Sequence, residues 1–348
     1  MMTLRQLSAE PPTLPTTTMW YLTDLSEALG KQKLFTYQSA QKLKALREHA
    51  LVESAVSSNR IEGVEVDKSR VATLVFGKSP LRDRDEEEVR GYRNALKLIH
   101  EKGAKLPISE ATIKHIQKLC RGDVWDAGKY KRKDVDIVER YPNGRSRVRF
   151  KTVPAKQTPK AMSEMITLWQ SGIKEKWTHP LILAAALDLD FLCIHPFRDG
   201  NGRVSRLLFL LACYHCGLDV GRYISLERLI EQNKERYYEV LELSSQHWHE
   251  GKQDPWPTLN FLLSILTQAC KEFERRVGQI KSPRGEKTEM VLAAVDRQVT
   301  PFGVAALQLE CPGVGVDLIR RILAQLRKQK RVRSLGTGRG AKWEKSGN

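Results

Sequence analysis

His195-Pro196-Phe197-Arg198-Asp199-Gly200-Asn201-Gly202-Arg203-Val204-Ser205-Arg206 gathers an imidazole, a carboxylate, two glycines around an asparagine, and arginines into one short stretch. Apolar segments, 181–194 and 207–218, flank it and both read as buried helices, so the polar cluster is a loop that opens a helix. Gly200 and Gly202 can take φ > 0 and let backbone N–H groups converge on one point. The following helix adds the positive end of its dipole. Arg203 and Arg206 are three apart and share one helix face. Two guanidiniums there can hold a polyphosphate through charge-assisted bonds. Asp199 is a hard oxygen ligand suited to Mg²⁺. His195 is the one group in the loop able to act as a base near neutral pH.

This order of residues matches the Fic motif, His-Pro-Phe-x-(Asp/Glu)-Gly-Asn-Gly-Arg-x-x-Arg, at every defined position, and the chain resembles Fic proteins over most of residues 50–275. The resemblance implies a mainly α fold, a Fic-type helical bundle with a β-hairpin flap. It implies a protein adenylyltransferase that moves AMP from ATP to a Ser, Thr or Tyr hydroxyl and releases pyrophosphate. His195 would take the hydroxyl proton, and Asp199 would hold Mg²⁺ between the α- and β-phosphates. Gly200, Asn201 and Gly202 would cradle those phosphates. Arg203 would meet the β-phosphate and Arg206 the γ-phosphate, with Phe197 anchoring the loop in the core. Many relatives carry a histidine seven residues before the catalytic one; here that position is Asp188.

Two further stretches resemble Fic features. Ser58-Asn59-Arg60-Ile61-Glu62-Gly63 resembles the inhibitory motif, (Ser/Thr)-x-x-x-Glu-(Gly/Asn), at the end of a helix expected over 35–61 with Gly63 as its C′ glycine. The resemblance assigns Ser58, Glu62 and Gly63 to autoinhibition, with Glu62 bidentate to Arg206 in place of a phosphate. Downstream, Asp134–Arg140 and Arg145–Val153 are strand-like around Tyr141-Pro142-Asn143-Gly144, where Asn-Gly signals a hairpin. With Gly128-Lys129-Tyr130 before it, this resembles the flap that pairs with a target segment. Ile137 and Val138 are its expected apolar clamps.

The chain has 348 residues, 41% hydrophobic, 28% charged, with a net charge of +17. That charge points to an anionic partner. Three regions are expected: 1–63 with the inhibitory helix, 64–280 as the Fic catalytic domain, and 281–348 as a small winged-helix domain. The last is inferred from three helical segments, two strand-like runs and a glycine-rich turn at 336–340, with Arg320, Arg321, Arg327, Lys328, Arg331 and Arg333 making it basic. Arg82–Glu88 reads as the solvated first turn of a helix. Tyr237 or Asn233 is a candidate near the adenine, although core packing is the preferred reading of Tyr237 and Tyr238. No apolar run spans a membrane, no signal peptide is visible, and six scattered cysteines fit the reducing cytoplasm. Expected partners are ATP with Mg²⁺ and a target protein; residues 281–348 are a candidate for binding DNA, with protein binding or dimerisation through that unit left open. The chain itself as target, and a homodimer, stay open, as do AMP removal, transfer of another nucleotide or phosphate group, and a nucleotide-sensing DNA-binding regulator.

Overall fold

The computed structural model describes residues 2–9, 12–36, 40–77, 80–140, 145–279, 286–298, 301–311, 314–336, 338 and 340–346. The chain divides into two compact units, Met1–Thr36 with Ala40–Arg275, and Arg276–Asn348.

The first unit is helical apart from one hairpin. In chain order it holds α1 (Thr3–Ala9), α2 (Thr16–Thr36), α3 (Ala40–Ile61), α4 (Val71–Phe76), α5 (Arg84–Lys102) and α6 (Glu110–Arg121). The hairpin strands β1 (Ile137–Arg140) and β2 (Ser146–Phe150) come next. Then follow α7 (Thr158–Glu175), α8 (Pro180–Ile194), α9 (Asn201–His215), α10 (Leu226–Gln232), α11 (Lys234–Ser245) and α12 (Trp256–Gln279).

α8 is the hub. Every residue from Leu181 to Phe191 is buried, so it is apolar all round, as a central helix must be. Pro180 at N1 pre-sets its start. α7, α9 and α1 pack on it. Asp190 breaks its apolar surface and accepts Thr3 N–H at 2.7 Å, Leu4 N–H at 2.9 Å and Trp248 Nε1–H at 2.8 Å. Burial pushes the Asp190 carboxyl up to about 6, against the opposing pull of those donors. One buried acid thus caps α1 and ties it to α8.

Several sequence expectations change. The short segment expected at 22–29 is part of the longer α2, and the helix expected over 35–61 begins at Ala40. Residues 64–80 contain a helix, α4. α5 starts where expected, with Asp83 accepting from Glu86 N–H at 2.9 Å. Its acidic first turn, however, is not solvated: Glu86 and Glu88 are buried. Arg70 grips Glu86 through Nε at 2.6 Å and Nη2 at 2.7 Å, and Glu88 turns to the catalytic loop.

The hairpin strands are shorter than expected. They pair antiparallel, Val138 with Val148, with a bulge between Ile137 and Val138. The Tyr141–Gly144 turn lies outside the described residues. Side chains close the flap roots where the ladder stops: Thr152 Oγ1 donates to Val135 O at 2.6 Å, and Asp134 accepts Ala155 N–H at 2.6 Å.

In the second unit, α13 (Glu286–Arg297), β3 (Phe302–Gly303), α14 (Val304–Glu310), α15 (Val316–Lys328), β4 (Val332–Ser334) and β5 (Lys342–Lys345) surround a small core of Val291, Leu307, Ile319, Leu323 and Val332. The antiparallel sheet runs β3-β5-β4. The helix expected at 301–309 opens with a strand because Phe302 pairs with Trp343. The expected linker at 281–285, residues 312–313 of the expected turn, and Thr337 and Arg339 of the glycine cluster lie outside the described residues.

Asp190→Ala should lower unfolding stability by roughly 3 kcal/mol or more, since three buried donors lose their acceptor. Denaturant titration with amide exchange on α1 reads this; an unchanged midpoint would remove Asp190 as the link between α1 and α8.

Candidate active site

The loop between α8 and α9 is held by its own atoms. His195 ends α8 in the left-handed region at φ 51°, and its N–H still donates to Phe191 O at 2.9 Å. Phe197 is fully buried and packs against Tyr130 and Phe191. Asn201 Oδ1 accepts Phe197 N–H at 2.9 Å and its Nδ2 donates to Phe197 O at 2.8 Å. The Asn201 side chain is therefore committed to shaping the loop, and only its backbone is left for a phosphate. Gly200 sits at φ 83° as the N-cap of α9. Gly202 does not take positive φ; it lies in the first turn of α9. Its role is close approach, because a Cβ there would fall 2.3 Å from Glu62 Oε1.

Arg203 and Arg206 are buried, unlike surface helix arginines. Arg203 Nη1 donates to Glu88 Oε2 at 2.6 Å, and Arg121 Nη1 donates to Glu88 Oε1 at 2.8 Å. Arg121 also pairs with Asp199 Oδ2 at 2.6 Å, and the Asp199 side chain is 54% exposed. Arg206 Nε donates to Ser58 Oγ at 2.9 Å, while its Nη2 donates to Ser58 O at 2.9 Å and Glu62 Oε1 at 2.8 Å. The expected bidentate carboxylate is thus replaced by a shared grip, with Ser58 filling the Nε side. Burial works against the charge on Arg206, but Glu62 together with Tyr237 and Tyr92 more than offsets it, so its pKa is raised.

Glu62 is aimed by the end of α3. Gly63 N–H donates to Arg60 O and Val64 N–H to Asn59 O, both at 3.0 Å, with Gly63 at φ 84°. This is a Schellman turn, which needs the glycine. α3 itself is fastened by Ser54 Oγ donating to Glu227 Oε2 at 2.6 Å.

His195, Gly202, Arg206, Glu62 and Ile137 line one cavity of about 200 Å³, with Arg149, Phe150, Tyr237, Tyr238 and Glu242. Val138 faces away and is 44% exposed, as strand alternation requires. Tyr237 is buried, as expected of a core residue, and with Tyr238 also lines this cavity; Asn233 lines a groove with Tyr21 and Trp256. Burial, then the charge of Lys131, lowers the His195 pKa to about 4, against Glu62 and Asp199. The imidazole is neutral at pH 7. Asp188 is buried, with a carboxyl pushed up to about 7 by burial while Ser205 and Arg206 pull it down.

Sequence reasoning missed Glu88, Arg121, Lys131, Arg149 and Glu242. Arg147 Nη2 donates to Glu242 Oε1 at 2.6 Å, and Arg149 bonds Glu242 Oε2, which pins the flap to α11. Gln117 also ties two loops together, with its Nε2 donating to Asp199 O at 3.1 Å and its Oε1 accepting Gly128 N–H at 2.6 Å.

Asn201→Ala should lower stability by about 2–4 kcal/mol, because two buried bonds go and Phe197 N–H is left unsatisfied. Denaturant unfolding measures it, and a midpoint equal to the parent would show the loop is held by something else.

Residues 107–213 match the Fic/DOC family model. The protein adenylyltransferase Fic of Nematostella vectensis is 24% identical over 221 residues, covering 61% of this chain and 47% of that one. The same-named protein of Aedes aegypti is 22% identical, covering 59% and 39%. The chain thus spans about half or less of these relatives. Among solved structures, a Fic family protein from Desulfovibrio desulfuricans G20 superposes with a TM-score of 0.63 at 20% identity, covering 97% of this chain and 98% of that one. A Fic domain containing signaling protein from Bacteroides thetaiotaomicron gives 0.60 at 21%, covering 75% and 100%. The loop between α8 and α9, with α8 and most of α9, thus lies in a segment that matches the Fic/DOC family, on a Fic fold.

Proposed function

We propose that this chain transfers AMP from ATP to a Ser, Thr or Tyr hydroxyl of a protein, and that Glu62 holds the transfer in check. One observation carries the reading: Arg206, the arginine the resemblance assigns to the γ-phosphate, is engaged by Ser58 and Glu62 in the cavity His195 lines. Ser58 and Glu62 together hold Nε and Nη2 of that guanidinium, the side-on pair of donors a phosphate would use. A cavity of about 200 Å³ is also below the roughly 300–1,000 Å³ of ordinary ligand sites, in keeping with a site narrowed by its own glutamate.

The target hydroxyl oxygen would attack the α-phosphorus as the bond to the pyrophosphate oxygen breaks, and its proton would pass to the neutral His195. Arg203, held by Glu88, would meet the β-phosphate side, and the backbone of Gly200 to Gly202 at the start of α9 would face the phosphates. Asp199 is the motif's single carboxylate and half-exposed, and among the described residues no group of three His, Cys, Asp or Glu could hold a metal. That donor set fits Mg²⁺ brought in on phosphates rather than one caged by protein. When bound, Mg²⁺ would neutralise charge developing on the phosphate oxygens. Positioning and charge stabilisation thus carry the reaction.

A second enzymatic reading, hydrolytic removal of AMP, is favoured by Glu62 itself, a carboxylate 32% exposed beside the same cavity and able to activate a water. For Arg276–Asn348, the order of helix, strand, two helices and two strands supports a winged helix. Exposed Arg321, Arg327 and Lys328 on α15 support binding to duplex DNA. No helix among the described residues is long and apolar enough to cross a membrane, and the free thiols suit a reducing compartment such as the cytoplasm.

Glu62→Gly should raise incorporation of labelled AMP by roughly a hundredfold, the scale of one charge-stabilising contact, and adding His195→Ala should abolish it. An unchanged level in Glu62→Gly would end the inhibition claim. Incorporation from UTP, GTP or CDP-choline exceeding that from ATP would change the transferred group. For the second unit, Arg321→Glu with Lys328→Glu should weaken a gel shift with duplex DNA and lower its salt slope by about 2; no shift in the parent would rule the DNA reading out.

A further inference from the structure

Lys131 follows the Gly128-Lys129-Tyr130 stretch and is buried, at 5% exposure. Its Nζ donates to Thr152 Oγ1 at 2.7 Å and to Ile194 O at 3.2 Å, and its own N–H donates to Pro196 O at 2.9 Å. The two carbonyls flank His195, a non-glycine residue at φ 51°. Holding a side-chain-bearing residue there costs about 1–3 kcal/mol unless its surroundings over-determine it. Thr152 sits at the root of β2 and donates to Val135 at the root of β1. One ammonium thus touches both the peptide segment of the base and the roots of the flap.

No carboxylate forms a salt bridge with Lys131 among the described residues; Asp134 and Asp136 act on it only at longer range, and burial lowers its pKa to about 8. A buried cation bonded only to neutral oxygens is expensive for stability alone. Such groups cluster at working sites.

We propose that Lys131 is a positioning residue that clamps the left-handed turn of His195 to the roots of the flap, so that the base and the strand presenting the target hydroxyl hold one fixed geometry. This rests on the reading of His195 as the base. The Lys131 charge also discourages a second cation on the adjacent imidazole. Glu62 and Asp199 pull the other way. Arg206, Arg149 and Glu242 face the same cavity, the latter two bonded to each other, while Cys193, Tyr237 and Tyr238 there are neutral because burial raises their pKa values.

The test uses the full chain carrying Glu62→Gly as parent, with Lys131→Met, Lys131→Arg and Thr152→Val added singly. Steady-state transfer is followed across pH. The His195 ring is titrated by NMR on ¹³C-labelled histidine, its signal assigned by loss in His195→Ala. Lys131→Met should lower kcat roughly a hundredfold, the scale of a misplaced reacting group, with KM for ATP little changed. It should move the acid limb and the His195 titration to higher pH together. Lys131→Arg should restore most of kcat and both titrations. Thr152→Val keeps the charge and should lower kcat without moving the titration. Parent-like kcat and titration in Lys131→Met, or arginine as damaging as methionine, would overturn the proposal. Should Lys131→Met fail to fold, parent-like kcat in Thr152→Val would overturn it instead. If the parent transfers no AMP, the proposed reaction fails, yet the His195 titrations of the lysine variants still decide whether Lys131 governs that ring.

Discussion

The site depends on the burial of the Arg206 guanidinium. A cation removed from water must be met by acceptors at fixed positions, and here they come from the last turn of α3: the Ser58 hydroxyl, the Ser58 carbonyl and the Glu62 carboxylate. The Schellman turn at Gly63 sets where Glu62 points. Gly202 leaves room for that carboxylate, since any Cβ would collide with it. Helix capping, a glycine contact and one ion pair therefore act together, and the helix that completes the core also closes the cavity.

Arg203 and Asp199 show the same economy. Glu88 on α5 binds Arg203 and Arg121, and Arg121 binds Asp199. The charged groups of the loop are thus preorganised from two sides, by α3 and by α5. Preorganised charge is the form in which such groups are worth most to a reaction, because nothing needs to reorient when charge develops. Glu242 adds a third tether, on the flap, and Asp190 a fourth, on α1.

The loop from His195 to Arg206, its two buried helices and the end of α3 were legible because their signals are local. The glycines, the apolar runs and the Ser58-to-Glu62 spacing all lie within a few residues of what they organise. The tethers were not legible. Glu88 sits in an acidic run that reads as a solvated first turn, and besides its neighbour Arg84 its partners are 33 and 115 residues away. Lys131, Arg149 and Glu242 likewise act on elements distant in sequence. What the Asn201 side chain does was not legible for a different reason: nothing in the residue type says that its amide is spent on the Phe197 backbone, four residues earlier. The outward face of Val138 follows from alternation along β1, which runs unbroken, whereas the register across the hairpin, shifted by the extra residue Arg149 in β2, was not readable from residue types.

If Arg206 is shared between Glu62 and the γ-phosphate, releasing it should be felt by nucleotides that carry that phosphate. Isothermal titration of ATP and ADP with Mg²⁺, into the parent chain and into Glu62→Gly, measures this directly. A gain of about tenfold, 1.4 kcal/mol, for ATP with a much smaller gain for ADP is expected. Equal gains for the two nucleotides, or none for ATP, would contradict competition at Arg206.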